Sequence, residues 1–269
     1  MGIINEKMEI TGSIGGYTYY RLKGISKIIV RKNPGPRKQQ TKDSPGYKKI
    51  LNNEREFGGC SRFASKTRMA FGGLHAYSDY TLNNALITMG RNLMKMDTEM
   101  ETGKRSLKLS EHKGMLAGFN FNLKYTFDSV LQFMPQWVLN RKNLEAIVTI
   151  PTINSMYTLK NNLNKPYFRL VAVLGSVSDW MYNETTDNYV PSVVELNGFS
   201  VITTGEWHST KCNLPEHTMT VKMPESRKEF LIDNVSLVLS MAVVFTGIDS
   251  KGQPDETVYQ GSGKVMAVF

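Results

Sequence analysis

The chain has 269 residues, 41% of them hydrophobic and 21% charged, with a net charge of +9. That length holds one large core, or a small N-terminal region beside a β domain of ordinary size. The composition excludes a disordered, collagen-like or disulfide-framework chain, since only Cys60 and Cys212 are present. The longest apolar run, Leu237–Phe245, is far short of the ~20 residues of a membrane span. The opening MGIINEKMEITG has neither the charge cluster nor the apolar core of a signal peptide. The expected location is therefore the cytoplasm or a particle assembled there.

The charge is concentrated. Between Arg21 and Arg68 lie fourteen Lys/Arg against Asp43, Glu54 and Glu56, a net of +11 that leaves −2 for the rest. Such a field favours phosphates or an acidic protein surface.

In chain order, Gly12–Arg31 predicts a β-hairpin. Tyr17–Tyr20 and Ile28–Val30 are strand formers, and Lys23-Gly24 stands at the turn. Gly12, Gly15 and Gly16 suggest a bulge or a close backbone approach in the first strand. Asn33–Pro45, with three prolines and a glycine, predicts a linker. Ser44-Pro45 reads as an N-cap and first helical residue. The helix that follows meets a break or kink at Gly58-Gly59 and stops at Gly72-Gly73. A second helix from about Ser78 carries Leu82, Leu86, Met89, Leu93 and Met96 on a single stripe.

From Leu107 the period changes to two. Ala117, Phe119, Phe121, Leu123, Tyr125 and Phe127 alternate with polar residues, which predicts a strand with one buried face. Further strands are expected at 144–150, 167–175, 193–203, 218–223, 235–246 and 263–269. The expected fold is α+β: an N-terminal β-hairpin and two helices (1–106) attached to a C-terminal antiparallel β-sandwich (107–269).

The pattern G-x-I-G-x-x-x-x-Y-x-x-x-G…V-R of Gly12–Arg31 resembles the start of a family of uncharacterised Bacteroidota proteins. The basic proline-containing linker, the Arg/Phe-rich helix NNEREFGGCSRFASKTRMAF, AGFNFNLKYTFDSV and the strand ending at Ile150-Pro151 fit it too. More loosely the chain is similar to phage structural proteins of unknown role. It departs from their N-P-x-T-x-x-Q linker, since Asn33-Pro34 is followed by Gly35-Pro36 and Gln39-Gln40-Thr41. Neither resemblance implies an assigned chemistry.

No catalytic constellation emerges from the residues. Gly12–Gly16 lacks the order of a phosphate loop and the helix that must follow it. His208, Cys212 and His217 offer metal-type ligands, but without a fourth local ligand or a standard spacing. Asp179, Glu184 and Asp187, with Trp180, Tyr182 and Tyr189, read as a solvated loop with aromatic interface anchors, or as a sugar or peptide groove. The expectation is a chain without enzymatic activity, metal or cofactor. Its N-terminal hairpin and linker join copies of itself or dock a partner, with Tyr17, Tyr19, Ile28 and Val30 as assembly contacts. The alternative partner is nucleic acid, held through Arg31, Lys32, Arg37, Lys38, Lys42, Lys48 and Lys49 along the phosphate backbone.

Overall fold

The computed structural model describes residues 2–4, 10–22, 25–33 and 45–269. The chain opens with four antiparallel strands, β1 (Gly2–Ile4), β2 (Ile10–Ile14), β3 (Tyr17–Tyr20) and β4 (Ile29–Lys32), hydrogen-bonded in that order. The predicted hairpin is β3–β4, with Tyr17 opposite Lys32 and Tyr20 opposite Ile29. It is half of a larger meander. Gly15 and Gly16 are not a bulge. Their φ values of 59° and 81° make the two-residue turn that joins β2 to β3. The Lys23-Gly24 turn, the linker from Pro34 onward and the Ser44 cap lie outside the described residues.

Helix α1 (Pro45–Ala70) runs unbroken through Gly58-Gly59. Gly59 marks a close approach: a Cβ there would lie 2.7 Å from the Tyr189 ring. Helix α2 (Leu82–Met96) buries Leu82, Leu86, Met89 and Leu93 of the expected stripe, while Met96, at the end of the helix, is exposed.

The segment 117–127 is not a strand. It is a loop that ends in a short helix, α3 (Phe127–Val130). Residues 118–121 bond through their backbone to the partner segment Gly263–Val265, with a single bridge between Asn120 and Lys264, and beyond Phe121 side chains satisfy the backbone in place of a ladder. Asp79 accepts from the N–H groups of Leu123 and Lys124, each at 2.9 Å. Asn122 Oδ1 accepts from Tyr125 N and Asn120 Oδ1 from Phe127 N. The polar half of the alternating pattern thus binds backbone locally and competes with sheet formation. Leu123 and Tyr125, expected inside, are exposed.

The remaining strands are β5 (Gln136–Asn140), β6 (Glu145–Ile150), β7 (Tyr167–Ser178), β8 (Trp180–Asn183), β9 (Asn188–Pro191), β10 (Ser200–Thr204), β11 (His208–Ser209), β12 (His217–Lys222), β13 (Val235–Ile248) and β14 (Pro254–Val268). The main sheet has the order β10-β7-β13-β14, with β11 on the start of β7; β12-β6-β5 form a second sheet and β8-β9 a ribbon. Every pairing is antiparallel.

Strand parity builds two cores on the main sheet. Val171, Val173 and Val177 of β7, with Val238, Ala242 and Val244 of β13, face α1 and α2. Leu170, Ala172 and Leu174, with Leu239, Met241 and Val243, face the second sheet. Both faces are covered, so β7 and β13 read as continuous apolar runs. The division at residue 106 is one of sequence character, because Leu107 and Leu109 pack in the same core as Phe63 and Leu86.

One ion pair ties the helices to the following loop. Glu56 accepts from Arg105 Nε at 2.8 Å and Nη2 at 2.6 Å, and from Gly103 N at 2.8 Å. Burial pushes its carboxyl up, but these bonds outweigh it and hold the pKa below the ordinary 4.5. A depressed folded pKa stabilises the fold above the unfolded value, and that stabilisation is lost as pH falls through the folded one. Glu56→Gln is expected to cost about 2–3 kcal/mol at neutral pH, since Arg105 loses its counter-charge. Urea unfolding at pH 7 and pH 3 checks this: the wild-type advantage shrinks at the lower pH, and a gap independent of pH would contradict the account.

Candidate assembly surface

The register of the N-terminal sheet sorts its side chains. Ile14 stands opposite Tyr17, Gly12 opposite Tyr19, and Tyr19 opposite Val30. Ile10, Ile14, Tyr17, Tyr19 and Val30 therefore share one face with Lys32. Thr11, Ser13, Thr18, Tyr20, Ile29 and Arg31 share the other, where the Ser13 and Thr18 hydroxyls bond at 2.9 Å. The sequence-predicted contacts Tyr17, Tyr19 and Val30 thus come together. Ile28 precedes β4 and is off the strand.

None of the described residues from 10 to 33 is buried, and none belongs to either core. Val30 is 53% exposed and Tyr17 43%. The sheet thus presents an apolar face that no described part of the chain covers.

The candidate phosphate contacts divide. Arg31 and Lys32 are exposed on opposite faces of β4, and Lys48 and Lys49 are exposed near the start of α1. Arg37, Lys38 and Lys42 lie outside the described residues. No α1 residue before Glu56 is buried, but Asn52 already packs on Gly103 and Arg55 pairs with Asp187, so only the first residues of the helix are free of the body.

The expected loop of exposed aromatic anchors is instead largely buried. Trp180 and Tyr189 are 4% and 2% exposed, in the core beneath α1; Tyr182 alone of the three is only partly buried. The β8–β9 ribbon turns one face onto α1, which takes those rings inward. Its acids serve separate partners. Asp179, pushed up by burial, accepts from Ser110 N at 3.0 Å. Glu184 pairs with Lys104, and Asp187 pairs with Arg55 and accepts from the Tyr182 hydroxyl. They do not line a common groove.

Among the described residues no group of three His, Cys, Asp or Glu side chains is arranged to hold a metal ion. His208 and His217 line a cavity of about 230 Å³ with Leu170 and Leu214; Cys212 is exposed. Cys60 is buried and unbridged, and burial pushes its thiol to about 12. Gly12–Gly16 is strand and turn, with no helix behind it to receive a phosphate.

Sequence reasoning missed a cleft of about 270 Å³ at the edge of β14, lined by Tyr77, Asp79, Tyr125, Lys160, Phe245 and Gly261 among others. These residues come from five separate segments, and no local motif joins them. No family model, curated protein or solved structure matches the chain. Among the described residues no helix is long and apolar enough to cross a membrane.

Proposed function

We propose that this chain is a non-catalytic interaction protein that assembles with copies of itself through its N-terminal sheet. The observation that supports this reading is the uncovered apolar face of Ile10, Ile14, Tyr17, Tyr19 and Val30, on a sheet in which none of the described residues from 10 to 33 is buried. A small sheet needs an apolar face packed against something to be stable.

Magnitude limits how the face is used. Four strands about 4.8 Å apart and about 16 Å long present roughly 300 Å² per face. Two such faces together bury roughly 600 Å², below the ~1,000 Å² that a specific interface clears. The sheet therefore docks with more than its twin: a strand edge or the body of the other copy contributes.

The basic region supplies the second reading, a phosphate-backbone contact through exposed Arg31, Lys32, Lys48 and Lys49. Replacing Arg31, Lys32, Arg37 and Lys38 together with Gln separates the two. Assembly driven by apolar burial survives, with a modest loss from missing rim charges. Light scattering after size-exclusion chromatography at low and high salt, with A260/A280 recorded, measures both. A wild-type chain that stays single while binding duplex DNA with a steep salt slope would reverse the choice.

A further inference from the structure

The free edge of β14 has the geometry to take another strand. Along its last residues a loop already does so: Gly118 N donates to Val265 O at 2.9 Å, Val265 N to Phe119 O at 2.8 Å, and Phe121 N to Gly263 O at 2.8 Å. Beyond Phe121 the loop makes no further backbone bond to the edge: Asp79 holds the N–H groups of Leu123 and Lys124, and Tyr125 O accepts from the Ser262 side chain. With a period of two, Gly261 and Tyr259 turn their N–H and C=O the same way as Gly263. Among the described residues no strand lies beside them. The cleft opens at this point, wrapping the edge from Tyr77 on the helical side to Phe245 on the other. Exposed Leu123 and Tyr125 stand next to it.

A second open edge lies in the N-terminal sheet, where β4 is the terminal strand. Asn33 N donates to Gly16 O at 2.7 Å, so by alternation Lys32 and Val30 turn their N–H groups away from β3. This edge is basic, with Arg31 and Lys32. On β14, Asp255 accepts from Thr257 and Glu256 from Trp207 Nε1, which lies over Arg169 of β7, so neither carboxylate marks the outer edge.

Resting on the assembly reading, we infer that β4 of one copy adds to the β14 edge of the next, extending the main sheet by the four N-terminal strands. Main-chain hydrogen bonds between the two unpaired edges hold the joint. The apolar face then lies along Leu123 and Tyr125 of the receiving copy, which supplies the area that a twin face lacks. The contact is head-to-tail: donor and acceptor are different surfaces, so each copy uses both.

The test uses two full-length variants. Lys32→Pro removes an outward N–H from the donor edge, and Tyr259→Pro one from the acceptor edge; proline is tolerated where the N–H faces outward on an edge strand. Each variant alone is expected at single-chain mass in light scattering. An equimolar mixture is expected at two-chain mass and no higher, because one intact donor meets one intact acceptor. A mixture that stays at single-chain mass, or either variant assembling as wild type does, overturns the inference. If removing residues 1–32 abolishes assembly while Tyr259→Pro does not, the edge joint falls and the assembly reading stands. A wild-type chain of single-chain mass at every concentration removes both.

Discussion

Gly175→Ala is expected to cost more than about 4 kcal/mol, the range reserved for severe core disruption. A Cβ at this position would lie 2.0 Å from the carbonyl oxygen of Ala70 and 2.9 Å from its side chain. Gly175 is paired on both sides, to Val238 of β13 and Ser200 of β10, so β7 has no room to retreat. The obstacle is backbone, the last turn of α1, and only movement of the whole helix relieves it. Trimming the neighbour with Ala70→Gly is therefore expected not to rescue. Urea midpoints of the single and double variants decide the matter. A change within ~0.5 kcal/mol, the range of surface substitutions, would mean that α1 does not seat on β7 as described.

Removing residues 1–32 is expected to bring the assembly to single-chain mass while leaving the stability of the body within about 0.5 kcal/mol. The two halves of this expectation have one cause. No described residue of the sheet is buried in either core, so its removal leaves no cavity. The same exposure makes its apolar face the surface lost to a partner. Light scattering reads the mass and thermal unfolding at matched concentration reads the body. An unchanged mass would sink the assembly reading. A large loss of stability in a chain already at single-chain mass would mean that the sheet packs on its own body.

Most of the fold was legible in the sequence. Apolar runs at Leu170–Leu174 and Leu237–Phe245 marked the two central strands because both faces of those strands are covered. The α2 stripe marked a helix with one buried side. The clearest alternation in the chain misled, because Asn120, Asn122 and Asp79 spend their oxygens on backbone N–H groups and bend 117–127 into a loop. Trp180 and Tyr189 misled in the other direction. Polar neighbours made them look exposed, yet the ribbon hides them under a helix more than a hundred residues earlier in the chain. On the candidate surface, Tyr17, Tyr19 and Val30 were legible from strand propensity alone. The β14 edge was not, since an unpaired edge is a property of topology and leaves no local signature.

The placement of α1 has a consequence in time. Its buried face rests on β7, whose Gly175 follows Ala70 by about a hundred residues, and β7 in turn waits for β13. At about 5–20 residues per second, synthesis leaves α1 without its seat for roughly 5–20 s. The N-terminal sheet waits for no later part of the chain to pair, because its strands match within the first 32 residues. Local pairings form fast and distant ones slowly. What it still needs is something to pack its apolar face, so under the assembly proposal neighbouring chains on one message can meet before the body of either has folded.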